Sequence, residues 1–143
     1  MKARLAWLLL STLIALTACD SSRVARPMPF GLVVTDLVIG SGTAAARGDT
    51  LTVLYVGRFT DSTVFDNSTR RPFRFRLGAG EVIRGWDLGM PGARVGGTRR
   101  LVIPPDLAYG EQGVPPIIPP TSTLVYDIQL IEVRSPAKLP WRM

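Results

Sequence analysis

Apolar and polar positions alternate along several stretches of this chain, and each alternation predicts a β-strand. Between Leu51 and Val56, the side chains of Leu51, Val53 and Tyr55 fall on one face and those of Thr52, Leu54 and Val56 on the other. In the run Thr123 to Val133, Tyr126, Ile128 and Leu130 share a face opposite Asp127 and Gln129. Gly31 to Ile39 is rich in Val and Leu, and Phe73 to Leu77 and Thr98 to Ile103 complete a set of five. Turn signals at Gly40-Ser41-Gly42, Arg47-Gly48-Asp49, Gly78-Ala79-Gly80 and Gly96-Gly97 separate these runs. Only one segment carries helical spacing: Val82, Ile83, Trp86 and Leu88-Gly89 recur between Gly80 and Pro91, room for about two turns before the proline stops them. Many short strands with one helix predict an α+β fold, an antiparallel half-wrapped β-sheet of about five strands around one short α-helix. Pro104 to Pro120 reads as a long loop holding six prolines, and loops of that length in a small domain are usually functional.

The periodicity fails at the N-terminus. Lys2 and Arg4 precede an apolar stretch from Leu5 to Leu16, broken only by Ser11 and Thr12, which ends in Leu16-Thr17-Ala18-Cys19. The stretch is too short to span a bilayer and has small residues at its end, so residues 1–18 read as a secretory signal peptide. The ending resembles a bacterial lipobox, in which Cys19 is lipidated with diacylglycerol and then acylated, palmitate being a usual chain. That implies a membrane partner through lipidated Cys19, and an ordinary signal peptide with Cys19 incidental is the competing reading. Several acyl chains on one residue anchor stably where one does not, at about 0.8 kcal/mol per buried CH₂. Asp20 follows, and in some Gram-negative lipoproteins an acid there implies retention at the inner membrane. The expected location is the cell envelope facing the periplasm, with the outer membrane as the other candidate. Residues 19–29, polar and proline-bearing, read as a lipid-anchored tether, 30–135 as the domain and 136–143 as a tail.

Composition narrows the chemistry. The chain has no histidine and one cysteine, so Ser-His and Cys-His nucleophiles, zinc clusters and disulfides lack their key residues, and no cofactor or metal is expected. Losing Lys2 and Arg4 with the signal peptide leaves 15 basic against 11 acidic residues. The basic residues are nearly all arginines, scattered apart from the doublets Arg70-Arg71 and Arg99-Arg100, and read as solvated surface with at most weak attraction to anionic lipid. With an export signal and no basic helix, a nucleic-acid partner is not expected.

Val64 to Asp66 (VFD), Glu81 to Asp87 (EVIRGWD), Ala108 to Pro120 (AYGEQGVPPIIPP) and the following TSTLVYDIQL stand in an order and spacing that resemble the FKBP-type peptidyl-prolyl cis-trans isomerases, over nearly all of Phe30 to Val133. The resemblance implies a prolyl pocket between the concave face of the sheet and the helix. Its site residues carry over to Tyr55, Phe65, Asp66, Phe73, Val82, Ile83, Trp86, Tyr109, Ile118 and Tyr126. Trp86 is expected as the floor under a prolyl ring, with Phe65, Phe73 and Tyr126 as walls and the Ile83 N–H and Tyr109 hydroxyl as donors to bound carbonyls. Any one of these aromatics alone would read as core; ten in the family's order read as a site. Asp66 is expected to accept from a tyrosine hydroxyl and an arginine. The segment between Phe65 and Phe73 is about two residues shorter than in small members of the family, which leaves Arg70 and Arg71 as candidates for that arginine. Val114 stands where some members carry His, which implies an altered preference for the residue before proline, and Tyr126 stands where Phe is common.

The implied partners are proline-containing polypeptide substrates and macrolide ligands, and a monomer is expected. The implied activity is isomerisation of X-Pro bonds in exported proteins. A binding module that holds proline segments without turnover and a structural envelope lipoprotein are the alternatives, and catalytic acceleration of a proline-limited refolding reaction separates them.

Overall fold

The computed structural model describes residues 24–136. Seven strands and one short helix follow one another as β1 (Arg26–Pro27), β2 (Val33–Val38), β3 (Thr50–Phe59), β4 (Val64–Asn67), β5 (Phe73–Arg76), α1 (Arg84–Gly89), β6 (Thr98–Ile103) and β7 (Leu124–Arg134). The expected signal peptide 1–18, the lipidation site Cys19 and the tail residues Lys138, Trp141 and Arg142 lie outside the described residues. All the strands pair antiparallel in one sheet of order β1-β2-β6-β7-β3-β4. β5 shares the outer edge of β3 with β4, β5 lying against Thr50–Val53 and β4 against Val56–Arg58.

The five alternations became β2, β3, β5, β6 and β7, and their apolar faces form one core. Leu51 and Val53 of β3, Leu101 and Ile103 of β6, and Leu124, Tyr126, Ile128 and Leu130 of β7 are buried together with Phe75. Each such aliphatic side chain contributes about 1.5–3 kcal/mol of burial.

Two strands were not anticipated. β1 lies inside the expected tether: Arg26 and Pro27 pair with Val34 and Val33, so the sheet already begins before Phe30. A two-residue edge strand containing a proline has no periodicity to read. β4 is hidden by a bulge. The register against β3 shifts between Gly57 and Arg58, which turns both Phe65 and Asp66 to the concave face and destroys the alternation.

The helix has about the two turns its spacing predicts but begins only at Arg84. Glu81 Oε2 accepts from the Arg76 N–H at 2.8 Å, and the Asp87 carboxylate accepts from the N–H groups of Gly78 and Gly80 at 2.8 and 3.0 Å. These bonds hold residues 78–81 in turns, and Ile83, with φ −58° and ψ 148°, enters the helix extended. Six residues do not form a stable helix alone, so α1 depends on packing. Its Gly85, Trp86 and Gly89 are buried against the sheet. Arg99, expected on the surface, instead turns inward from β6 with 5% exposure and donates to the carbonyls of Gly89 and Pro91 at the end of α1.

Candidate active site

Between α1 and the concave face of the sheet lies a cavity of about 150 Å³. Its base is Trp86, 3% exposed and held edge-on by four rings: Tyr55 at 5.1 Å, Tyr126 at 5.2 Å, Phe75 at 5.5 Å and Phe73 at 6.2 Å between centroids. Edge-to-face pairs of this kind contribute about 0.5–1.5 kcal/mol each beyond their burial, so the floor is rigid. Among the described residues, Trp86 Nε1 is the one fully buried side-chain polar atom without a partner.

The apolar and tyrosine walls come from five separate segments. β3 and β7 supply Tyr55 and Tyr126, whose rings lie 5.9 Å apart. Between them Gly57 carries no side chain, and an added Cβ would sit 2.8 Å from Tyr126 Cε1 and 2.9 Å from Phe65 Cζ, so the aromatic wall closes only over glycine. β5 supplies Phe73, the turn before α1 supplies Val82 and Ile83, and the loop after β6 supplies Tyr109. The bond from Gly110 N–H to the Pro105 carbonyl at 2.9 Å and that from Gly113 N–H to the Tyr109 carbonyl at 3.1 Å fix this loop.

Eight of the ten expected residues line the cavity; Phe65 and Ile118 do not. Phe65 stands one row behind, packed edge-on against Tyr126 at 5.7 Å and tilted against Phe59 at 4.8 Å, and so braces a wall. Ile118 is 5% exposed in the core, its amide bonded to the Val114 carbonyl at 2.9 Å. Glu81 also lines the cavity and was not anticipated. Its only sequence signal was its position beside Val82.

Asp66 accepts from the Tyr55 hydroxyl at 2.7 Å. No arginine joins it: neither Arg70 nor Arg71 forms an ion pair among the described residues. The shorter segment is held differently, by Ser68, whose N–H donates to the Tyr55 carbonyl and whose Oγ accepts from the Tyr55 N–H, both at 2.9 Å. Two donors remain for a guest. The Ile83 N–H has no acceptor among the described residues, and the Tyr109 hydroxyl, on a residue 39% exposed, has no partner there either.

All three tyrosines of the chain line this cavity, and in each the phenol is pushed above its ordinary value. Burial is the main cause in every case; Tyr55 adds its hydrogen bond to Asp66, and the Asp66 charge adds to Tyr109 and Tyr126. The three therefore stay neutral donors throughout the physiological range. Because the folded state holds these protons more tightly than the unfolded chain, their contribution to stability is full below about pH 10 and is lost as pH rises above it. A titration of tyrosinate absorbance is expected to show all three phenols ionising above their ordinary range while circular dichroism still reports the fold. Three ordinary tyrosines in a folded chain would contradict the closed geometry.

The family model of the FKBP-type peptidyl-prolyl cis-trans isomerase matches residues 41–131. "FK506-binding protein 4" of Dictyostelium discoideum is 52% identical over 104 residues, which cover 73% of this chain and 29% of that protein. The chain thus spans only about a quarter to a third of the length of such curated relatives. Among solved structures, a peptidyl-prolyl cis-trans isomerase from Pseudomonas syringae pv. tomato superposes with a TM-score of 0.70 at 37% identity, covering 78% of this chain and 81% of that one. FkpA from Escherichia coli superposes with a TM-score of 0.71 at 42% identity, covering 82% and 54%.

Proposed function

The chain belongs to the FKBP-type peptidyl-prolyl cis-trans isomerases, and from that premise we propose that it accelerates the cis-trans isomerisation of X-Pro bonds in exported proteins as they fold, from a lipid anchor at Cys19 on the periplasmic face of an envelope membrane. The observation that carries the activity is the aromatic cavity on Trp86 with two donors unpaired among the described residues, the Ile83 N–H and the Tyr109 hydroxyl, at its edge. The anchor is supported by the sequence Leu16-Thr17-Ala18-Cys19 after an apolar run.

Rotation about a peptide C–N bond faces a barrier of about 18–20 kcal/mol because resonance gives it double-bond character, and unaided X-Pro exchange takes on the order of tens to hundreds of seconds. Twisting the bond localises the nitrogen lone pair and reduces charge separation in the amide. A cavity floored by Trp86 and walled by Tyr55, Phe73 and Tyr126 takes the prolyl ring out of water and disfavours the charge-separated planar form relative to the twisted one. The Ile83 N–H and Tyr109 hydroxyl hold neighbouring carbonyls, so that only the prolyl bond turns. No covalent bond is made or broken. Asp66 fixes the Tyr55 ring by accepting a hydrogen bond from its hydroxyl and transfers no proton.

Catalytic amounts of the full chain are expected to accelerate a proline-limited refolding reaction. The rate enhancement should be nearly flat between about pH 6 and 8, since no histidine titrates there. Asp66→Asn keeps an acceptor for the Tyr55 hydroxyl and should lower the rate by no more than about tenfold, because exchanging a charged for a neutral acceptor costs on the order of 1 kcal/mol. A folded chain that binds proline peptides without accelerating refolding would be a binding module. Complete loss of rate in a folded Asp66→Asn chain, or a bell-shaped pH profile, would mean that Asp66 moves protons.

A further inference from the structure

The two faces of the sheet differ in charge. Pairing register places Arg58, Arg74, Arg76, Arg100 and Arg134 together on the convex face, away from the cavity, with Asp127 and Glu132 as the acids of these strands on that face. Asp127 is shared between Arg58 at 2.8 Å and Arg100 at 2.6 Å, so one carboxylate answers two guanidiniums. Glu132 pairs with Arg134. Arg74 and Arg76 form no ion pair among the described residues: their Nε atoms reach Thr52 Oγ1 at 3.4 Å and the Gly48 carbonyl at 3.5 Å, and Arg74 shares the field of Glu132 with Arg134 without touching it. The cavity on the other face carries the acids Asp66 and Glu81.

The described chain enters the sheet at one edge and leaves it from a strand end in line with Arg76. β1, where the sheet begins, is one edge of it, and Arg26 follows Cys19 by seven residues, a reach of at most about 25 Å. β7 ends at Arg134, opposite Thr50, which also pairs with Arg76 near the other edge. Beyond that corner the sequence holds Lys138, Trp141 and Arg142, residue types suited to a bilayer interface.

We propose that the convex face is a docking surface for an anionic phospholipid bilayer, so that the domain lies on the membrane with its cavity turned outward to clients. The proposal rests on the membrane anchoring put forward above and adds the orientation. Each basic side chain brought to an anionic bilayer strengthens association about fivefold, so the three arginine charges left unbalanced on this face together supply on the order of a hundredfold. That is enough to select one orientation of a tethered domain, though not to hold a free one.

The test is an arginine footprint. The full chain is reconstituted into vesicles of phosphatidylcholine, alone or with phosphatidylglycerol, treated with phenylglyoxal and mapped by mass spectrometry. With phosphatidylglycerol, Arg74, Arg76 and Arg134 are expected to react several-fold more slowly while Arg84, beside the cavity, is unchanged. The protection should vanish in about 1 M salt, where screening acts within about 3 Å. Arg74→Glu with Arg76→Glu should abolish protection of Arg134 with circular dichroism unaltered. Equal protection in both vesicles, protection that survives salt, or protection centred on Arg84 would overturn the proposal. Flotation with phosphatidylcholine vesicles reports the anchor separately. A chain that floats without a face-specific footprint has an anchor and no docking face. One that shows the footprint only in anionic vesicles and fails to float otherwise has the face and no anchor.

Discussion

Replacing Arg99 by Met is expected to destabilise the domain by about 3 kcal/mol, the low end of what removing one partner of a buried ion pair costs. Arg99 is 5% exposed and uses four of its five guanidinium donors: Nε and Nη2 donate to Asp36 at 2.6 and 3.2 Å, and Nη1 donates to the carbonyls of Gly89 and Pro91 at 2.9 and 3.0 Å. Met fills a similar volume but leaves two carbonyls at the end of α1 without their donor. Asp36 keeps Arg26 at 2.7 Å, on a side chain 54% exposed, which is why the low end applies. With a urea dependence of about 1–3 kcal/mol/M for a domain of this size, the unfolding midpoint should fall by about 1 M or more. Arg99→Lys keeps a charge but cannot fork to both carbonyls and Asp36, so it should fall between the two. A midpoint for Arg99→Met within a few tenths molar of the parent would mean that the clamp contributes nothing.

Arg99 also marks where sequence reasoning runs out. The doublet Arg99-Arg100 reads as surface, yet in a strand adjacent residues point to opposite faces. Arg100 is on the convex face with Asp127, and Arg99 is buried with Asp36, 63 residues earlier in the chain. That partner lies directly opposite on the neighbouring strand β2, and nothing local in the sequence names it. The strands that were legible, such as β3 and β7, have one apolar and one polar face, which is the physical content of the alternation. β4 was illegible because its bulge puts Phe65 and Asp66 on the same side. The cavity was legible through its aromatics because Tyr55, Trp86 and Tyr109 belong to recognisable runs. The fixation of Tyr55 was not, since Ser68 bonds its main chain from a segment with no periodic signal, and no arginine joins Asp66.

Gly85→Ala is expected to displace the floor of the cavity, against what helix propensity alone predicts. Ala is favoured over Gly inside a helix by about 0.5–1 kcal/mol. Here the helix lies against β6 so closely that an added Cβ would sit 2.4, 2.7 and 2.9 Å from Cγ2, Cδ1 and Cγ1 of Ile103. Ile103 is fully buried and β-branched, so it cannot swing away, and α1 must move instead. Overpacking of this kind costs about 1–3 kcal/mol and outweighs the propensity gain. Because Trp86 is the next residue, the shift reaches the cavity: isomerase activity should fall further than the stability loss explains, and the Trp86 resonance of 5-fluorotryptophan-labelled chain should move in the fluorine NMR spectrum. Ile103→Ala alone leaves a void and should cost about 2–5 kcal/mol. In the double variant the methyl added by Gly85→Ala enters that void, so the two losses should be less than additive by about 0.5–3 kcal/mol and the Trp86 resonance should return towards its parent position. Additive losses with an unmoved Trp86 resonance would show that the glycine does not set the distance between α1 and the sheet.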